Sequence, residues 1–424
     1  MKKFPGGIHP EYGKELTADK PIVDMPLPKK VRLLLTQHLG PPCIPLVAPG
    51  DTVAAGQIIA NTDAFVAAPI IASVAGEVAA VDSEGIDIIT DPNKSSFEGH
   101  AKNYSSPAEL RQLIREAGIV GMGGATFPTH VKLSPTEGKS VSMLILNGAE
   151  CEPFLTTDHR LMIEHGQELV EGIKLLLAAC GANAAIIAIE ANKPDAIENM
   201  TNLTRDTDSL SVVSVPARYP QGGERQLIKT LTGKEVPMGG LPLDLGIVVS
   251  NVATAVAVHQ AVNLGQPLID RVVTVSGRGV AQPQNVRVRL GTSIAELIDF
   301  CGGLTADAAK VINGGPMMGK AVADLNTPVT KGTSGILVFT EKEAREYEEK
   351  TCIRCASCVD ACPQKLLPNY LALYSRKGKL DLAEQLHLCN CIECGCCSYV
   401  CPSRIPLVKY IQTAKNKIKR RRRK

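Results

Sequence analysis

No stretch of this 424-residue chain is both long and apolar enough to cross a bilayer. The best candidate, Leu241 to Leu264, is broken by Asp244, Asn251, His259, Gln260 and Asn263. A membrane core needs about 20 largely apolar residues in a row, so the chain is expected to be soluble or peripheral. An apolar leader is missing too: Met1-Lys-Lys-Phe-Pro-Gly-Gly holds no secretory h-region. Nor does either sign of charge dominate, at a net +3 with 44% hydrophobic residues, which excludes collagen-like, disordered and nucleic-acid-binding classes. Fourteen cysteines without a leader fit metal ligation in a reducing cytosol better than a disulfide scaffold. The length exceeds one core and predicts about three domains.

What is present is one cysteine phrase written twice. Cys352-x2-Cys355-x2-Cys358-x3-Cys362-Pro363 is followed by Cys391-x2-Cys394-x2-Cys397-x3-Cys401-Pro402. This is the spacing of two-cluster ferredoxins, in which the fourth cysteine of each run ligates the other cluster. Cys352, Cys355, Cys358 and Cys401 are therefore assigned to one [4Fe–4S] cluster, and Cys391, Cys394, Cys397 and Cys362 to a second. Zinc more commonly takes paired C-x2-C knuckles than triplets followed by Cys-Pro. Cys389 and Cys396 break the spacing and are read as packed thiols or minor supporting groups. Cys43, Cys151, Cys180 and Cys301 are isolated and read as small buried hydrophobes.

Upstream, residues 1–103 hold short β-branched runs broken by Pro-Gly-Asp and Ala-Gly-Glu, the pattern of small strands and tight turns. It resembles the barrel-sandwich fold of lipoyl and biotinyl carriers. The hairpin Asn61-Thr-Asp-Ala-Phe-Val66 lacks the lysine such carriers modify, so the module is read as structural. From 104 to 268 the chain alternates: a helix over 107–117, a strand over 141–146, a helix over 161–180, a strand over 185–189, a helix from Pro194 and a strand over 210–215. That order predicts an α/β layer on a parallel sheet, with ligands at the carboxyl ends of strands. Residues 269–340 read as strands around one helix near 293–301, a β-grasp-like unit. A charged helix is expected over 341–350, and the cluster domain, 341–412, is expected to be mostly helical. The tail, 413–424, is strongly basic. It reads as a solvated terminus or as an attraction to anionic lipid or an acidic partner.

A glycine loop, Gly118-Ile-Val-Gly-Met-Gly-Gly-Ala-Thr-Phe-Pro-Thr-His-Val-Lys132, lies between the first helix and first strand of the α/β layer. Glycines let backbone N–H groups approach a phosphate, and Lys132 adds a point charge. Alone, the loop fits a structural turn equally well. Three polar clusters follow at strand or helix ends: Asn147-Gly-Ala-Glu-Cys-Glu152, Tyr219-Pro-Gln-Gly-Gly-Glu224 and Ser250-Asn251-Val-Ala-Thr254.

In that order these motifs resemble the flavin-binding, NADH-oxidising subunit of respiratory complex I. With Phe4-Pro-Gly-Gly-Ile-His-Pro10 and the doubled cysteine run, the whole chain resembles the C-subunit family of Rnf (Rsx) electron-transport complexes. The resemblance implies a multidomain α/β protein: a barrel-sandwich module, an FMN/NAD(H) domain, a soluble-ligand-binding β-grasp (SLBB) domain, a ferredoxin-type domain and the basic tail. It implies non-covalent FMN, NAD(H) as substrate, and electron flow between ferredoxin and NAD coupled to ion translocation. Gly121, Gly123, Gly124 and Lys132 are expected on the FMN phosphate side, and Asn147, Glu150, Asn251 and Thr254 against FMN. Phe127 is expected to face the nucleotide and Glu152 to help hold NAD(H). Tyr219 and Glu224 are expected to line the flavin cleft. A cap or a surface carboxylate is the alternative for each acidic residue. Compared with complex I, Gly223-Glu224 stands for an acidic pair, Ser250-Asn251 for two asparagines, and Ala149 for an acidic residue, so polar contacts are fewer. Implied partners are the ferredoxin-like B-subunit, membrane flavoprotein and ion-pumping subunits of an Rnf complex and, indirectly, ferredoxin, with the chain peripheral on the cytoplasmic face of the bacterial cell membrane. Two rivals remain: a soluble flavin iron–sulfur reductase, such as a microcompartment cobalamin reductase, and a non-catalytic electron relay.

Overall fold

Strands cut short by Pro-Gly-Asp and Ala-Gly-Glu can make only small sheets, and the N-terminal module has two. The computed structural model describes residues 3–94, 97, 99–135 and 138–423. Met1, Lys2 and Lys424, part of the terminal motifs above, lie outside the described residues. Lys30–Leu34, Gly85–Thr90, Gly76–Val81 and Thr52–Val53 form one antiparallel sheet. Ile44–Pro45, Ile58–Asn61 and Ile70–Ile71 form the other. The period of two shows in the core: Val31 pairs with Ile88 and Leu33 with Ile86, and all four are buried. The lysine-free turn after Ile58–Asn61 packs on the next domain, with the Phe65 ring edge-on to His130 at 5.7 Å and Arg115 Nη2 donating to the Thr62 carbonyl at 3.1 Å.

One strand leaves this module. Ile22–Asp24 pairs in parallel with Gln284–Arg289, so the N-terminal segment edges the sheet of the β-grasp unit. That unit's other strands are Asp270–Ser276, Ala308–Asn313, Lys320–Ala321 and Gly335–Thr340. Its helix, Ile294–Phe300, starts where Ser293 Oγ accepts from Glu296 N at 3.2 Å.

Between them lies a four-stranded, wholly parallel sheet in the order Leu210–Val215, Ala185–Glu190, Met143–Gly148, Ile247–Asn251. Helices cover it, and the strands are accordingly near-continuous apolar runs. Its fourth strand, Ile247–Asn251, falls in the stretch rejected above as a membrane span and was not itself expected as a strand. The helix anticipated over 161–180 is two helices, Thr157–Glu164 and Gly166–Cys180. They break at His165, whose Nδ1 pairs with Glu168 Oε1 at 2.8 Å and starts the second.

No helix forms over 341–350. Glu343 turns back to accept from Thr340 N at 3.0 Å, and Lys350 N donates to the Ser403 carbonyl at 2.9 Å, which holds the stretch extended. Its residues are almost all charged and offer no apolar stripe to bury. Beyond it the chain is helical, with Pro368–Arg376 and Leu380–Gln385 between the cysteine runs. The basic tail does not begin a separate unit at 413. It is the end of one helix, Leu407–Arg423, whose Ile411, Ala414 and Ile418 are buried in one core with Leu371 and Ala383. Arg421 and Arg422 pair with Asp381 and Glu384 at 2.8 and 2.6 Å. Among the described residues, no helix is long and apolar enough to cross a membrane.

Candidate functional site

The parallel sheet brings two asparagines together at its carboxyl edge. Asn147 is the last residue but one of its strand, Asn251 ends the neighbouring strand, and the two are register partners. Asn147 Nδ2 donates to the Gly222 carbonyl at 2.7 Å, and its Oδ1 accepts from Ala149 N at 3.2 Å. Asn251 Oδ1 caps the helix Val252–Asn263 by accepting from Ala253 N at 2.9 Å, while its Nδ2 donates to Asp158 Oδ2 at 2.7 Å.

The glycine loop lies over that helix start. Thr254 Oγ1, buried, accepts from Met122 N at 3.0 Å, and Gly121 N closes the loop on the Phe127 carbonyl at 2.8 Å. Gly123 and Gly124 are exposed. A Cβ on Gly123 would stand 3.4 Å from Asn251 Cβ, on the floor of the cradle, whereas Gly124, at φ 118°, faces open space. Exposed glycine N–H groups beside a helix N-terminus make an anion site, which suits the phosphate of FMN. Lys132 stands at the rim, with Nζ 2.7 Å from Glu224 Oε1. Phe127 is half-buried on the same loop.

Three of the expected cofactor residues spend their polar groups elsewhere. Glu150, held at φ 48°, accepts from Asp158 N at 2.7 Å and Thr157 Oγ1 at 3.2 Å, and so caps the helix Thr157–Glu164. Glu152 Oε2 accepts from Met317 N of the β-grasp unit at 3.1 Å, and among the described residues its buried Oε1 has no hydrogen-bond partner. Burial pushes its carboxyl up to about 7. The Tyr219 ring, 1% exposed, points its O–H at the Cys394 carbonyl, 2.8 Å away.

Two residues of this region were not singled out from sequence. Asp158, on Asn251, is raised by burial and then by its neighbour Glu150. Lys14 is buried, and its Nζ donates to the carbonyls of Glu150 and Glu152 at 2.8 and 3.0 Å and to that of Leu155. Asp158 lies in the first turn of the helix that follows the Glu-Cys-Glu loop, a usable signal; Lys14, more than a hundred residues upstream, gives none.

The thiols form two sets that cross between runs. Cys352, Cys355, Cys358 and Cys401 line a cavity of about 100 Å³ walled by Ala372, Leu373, Ile405 and Leu407. Cys362 belongs instead with Cys391, Cys394 and Cys397: burial and then the mutual proximity of these sulfurs push Cys397 up to about 12, and burial drives Cys391 to about 11. Among the described residues no three or more Cys, His, Asp or Glu converge on a single-ion site. A ring of thiols around a cavity is instead what the broad body of a cubane requires. The first set faces outward, with Cys352 and Cys355 exposed and Ile353 68% exposed between them. The second set is inward. Cys394 shares a buried apolar cluster with Ile8, Tyr219, Ala361 and Cys396. Cys396 is fully buried in that same cluster, as a packed thiol should be; Cys389 is exposed and is not one. Cys43, Cys180 and Cys301 are buried, and Cys151 is half-buried beside Gly222. All fourteen cysteines are free of disulfides.

Family models match in the order of the fold: an RnfC barrel sandwich hybrid domain over 2–91, a Nuo51 FMN-binding domain over 114–260, an SLBB domain over 272–321 and a 4Fe-4S dicluster domain over 345–402. Over 430 residues, 98% of this chain and 94% of the relative, the sequence is 45% identical to the C-subunit of the proton-translocating ferredoxin:NAD(+) oxidoreductase complex of Clostridium ljungdahlii. It is 42% identical to the C-subunit of the Na(+)-translocating ferredoxin:NAD(+) oxidoreductase complex of Acetobacterium woodii, covering 99% of this chain and 98% of the relative. Against the C-subunit of the ion-translocating oxidoreductase complex of Rhodobacter capsulatus the identity is 43%, over 98% and 83%. Among solved structures, an NAD+-reducing [NiFe]-hydrogenase in its H2-reduced state shares the fold at a TM-score of 0.51 and 20% identity, over 74% of this chain and 61% of that one.

Proposed function

The chain belongs to the C-subunit family of ion-translocating ferredoxin:NAD(+) oxidoreductase complexes, and from that premise we propose how its own residues serve electron flow between ferredoxin and NAD. It is an oxidoreductase subunit of a multi-subunit complex, with an FMN-binding domain and a dicluster [4Fe–4S] domain. When bound, FMN exchanges a hydride with the nicotinamide and the clusters carry electrons singly.

The backbone of Gly121, Gly123 and Gly124, the capped helix start and Lys132 take the FMN phosphate. Asn147, Asn251 and Thr254 hold the loop and the sheet edge in register, and Phe127 offers an aromatic face to the nucleotide. Glu224 sets the position of Lys132. Glu150 and Glu152 act through the turn they stiffen, and Tyr219 through the loop it fixes. A hydride carries its own electrons, so no side chain need act as general acid or base.

The inner thiols, Cys362, Cys391, Cys394 and Cys397, lie on the cleft side. The outer thiols, Cys352, Cys355, Cys358 and Cys401, face outward beside Ile353 and Arg354. That ordering makes the outer face the place where a ferredoxin-like partner exchanges electrons. Ion-pumping and membrane flavoprotein subunits supply the translocation, and this chain sits peripherally on the cytoplasmic face of the cell membrane.

One observation carries the reading: Tyr219, from the loop after a nucleotide-sheet strand, is hydrogen-bonded to the backbone of the ligand Cys394. Likeness over the full length to members of the C-subunit family supports it over a microcompartment cobalamin reductase. Protein prepared anaerobically should show FMN absorbance, and NADH should bleach first the flavin and then the clusters. A preparation with intact clusters but no flavin, or one that NADH leaves unbleached, would defeat the proposal.

A further inference from the structure

Apart from the exposed His9, the Phe4-Pro-Gly-Gly-Ile-His-Pro10 segment carries no side chain that could ligate iron. It is nevertheless threaded through the middle of the molecule. Gly7 N donates to the Ala361 carbonyl at 2.9 Å, one residue before the ligand Cys362. Ile8 then makes an isolated antiparallel bridge with Tyr219: Ile8 N donates to the Tyr219 carbonyl at 2.8 Å and Tyr219 N to the Ile8 carbonyl at 3.0 Å. Tyr219 in turn donates its phenol to the Cys394 carbonyl. The strap and Tyr219 thus hold the backbone beside one inner ligand from each cysteine run.

The glycine at position 6 has a reason in this contact. Its φ is 64°, and a Cβ there would stand 2.6 Å from both the carbonyl carbon and oxygen of Cys362. The strap is locked at its other end by Phe4, 3% exposed, with the Arg218 guanidinium over its ring at 5.4 Å. Arg218 precedes Tyr219, so the same loop is gripped twice.

We propose that Gly6, Gly7 and Ile8, together with Tyr219, are positioning residues that register the inner cysteine set against the nucleotide cleft. The proposal rests on the electron-transfer reading above. Transfer between two fixed centres depends steeply on their separation and orientation, and Cys362, Cys391 and Cys394 lie in loops of a domain that, among the described residues, few backbone hydrogen bonds tie to the rest of the fold. A strap pairing with both sides removes that freedom before any cofactor is reduced. If it were only a brace, loosening it would lower the melting temperature and leave the inner centre's signature alone.

The test uses the full chain, loaded anaerobically, as Gly6→Ala and Tyr219→Phe. The first pushes on the Cys362 backbone; the second keeps the ring and deletes only the O–H. Iron content, the EPR line shape and midpoint potential of each cluster, and stopped-flow cluster reduction by NADH are measured. In each variant the inner signature should change and the outer one stay, with cluster reduction lagging flavin reduction by about tenfold or more. Dithionite reads the EPR signature without NADH, so failure of the nicotinamide reading is distinguishable from failure of this one. If Gly6→Ala does not assemble, Tyr219→Phe decides. In the parent chain, stripping iron with a chelator should raise hydrogen exchange at the Gly7 and Ile8 amides. Unchanged inner-cluster EPR and potential in Tyr219→Phe, or unchanged exchange at Gly7 and Ile8, would overturn the proposal.

Discussion

Lys132 Nζ lies 2.7 Å from Glu224 Oε1 at the mouth of the glycine cradle, each side chain about a third exposed, at 35% and 38%. Such a pair adds little stability, on the order of 0.2–1 kcal/mol, so its placement matters more than its strength. Replacing Lys132 by Ala removes a charge-assisted contact to phosphate worth about 1.5–3 kcal/mol. The Kd for FMN, read by fluorescence titration, should rise roughly 10- to 100-fold. Glu224→Gln frees the ammonium and should leave the Kd equal or lower. A Kd indifferent to Lys132 would remove it from the site.

Gly123→Ala is a different probe. Its new methyl would meet Asn251 Cβ at 3.4 Å, a tight contact that a shift of a few tenths of an ångström relieves, so the fold should persist. The methyl nonetheless occupies the space above the cradle floor. FMN retention should collapse while the apoprotein melts within a few degrees of the parent. Full flavin content after gel filtration would argue that the loop only makes a turn.

The crossing of the fourth cysteines can be read by deletion. Cys401→Ala should abolish the EPR signal of the outer cluster, although Cys401 belongs to the second run. Cys362→Ala should abolish that of the inner one. Each should lose roughly half the iron. Loss of the opposite signal in either variant would reverse the ligand assignment.

Lys331 gives a pH dependence far from the cofactors. It is 1% exposed, its Nζ donates to the Pro69 and Gly118 carbonyls at 2.7 Å each, and burial lowers it to about 7. The unfolded chain keeps the proton up to an ordinary lysine pKa, while the folded chain gives it up from about 7 upward. Above 7 the unfolded state therefore binds more protons, and stability rises with pH until the unfolded lysine also titrates, by up to about 1.4 kcal/mol per pH unit. Thermal unfolding between pH 7 and pH 10 should show this rise, and Lys331→Met should flatten it. Identical slopes would mean the lysine stays charged on its two carbonyls.

The C-terminal helix offers a stability test. Ile418 is 2% exposed in the core with Leu371 and Ile411, so Ile418→Ala should cost about 2–5 kcal/mol. A freely solvated tail would show no cost.

The sequence was most legible where chemistry dictates spacing. The cysteine runs were readable as a two-cluster phrase because that spacing is specific, and the fold gathers Cys401 with Cys352, Cys355 and Cys358 around one cavity. The sheet was readable where β-branched runs alternate with helices, but its fourth strand was not. Ile247–Asn251 runs directly into the helix Val252–Asn263, and a continuous apolar stretch carries no period by which strand and helix separate. The tail misled because its charges hid the Ile411, Ala414, Ile418 stripe. The charged stretch 341–350 misled in the opposite sense: helix-forming residues need a buried face, and there is none. The side chains of Glu150 and Tyr219 turn to Thr157 and to the Cys394 carbonyl, which no local pattern connects to them.

The strap, Lys14 and the strand Ile22–Asp24 make the first two dozen residues a lace drawn through the later domains. Its partners lie far along the chain: Gly7 pairs with Ala361, more than three hundred residues downstream. Its closure is thus among the most non-local contacts the chain makes, the kind that forms late and slowly. Completion of the inner cluster site would then wait on a contact between two segments that are remote in the chain.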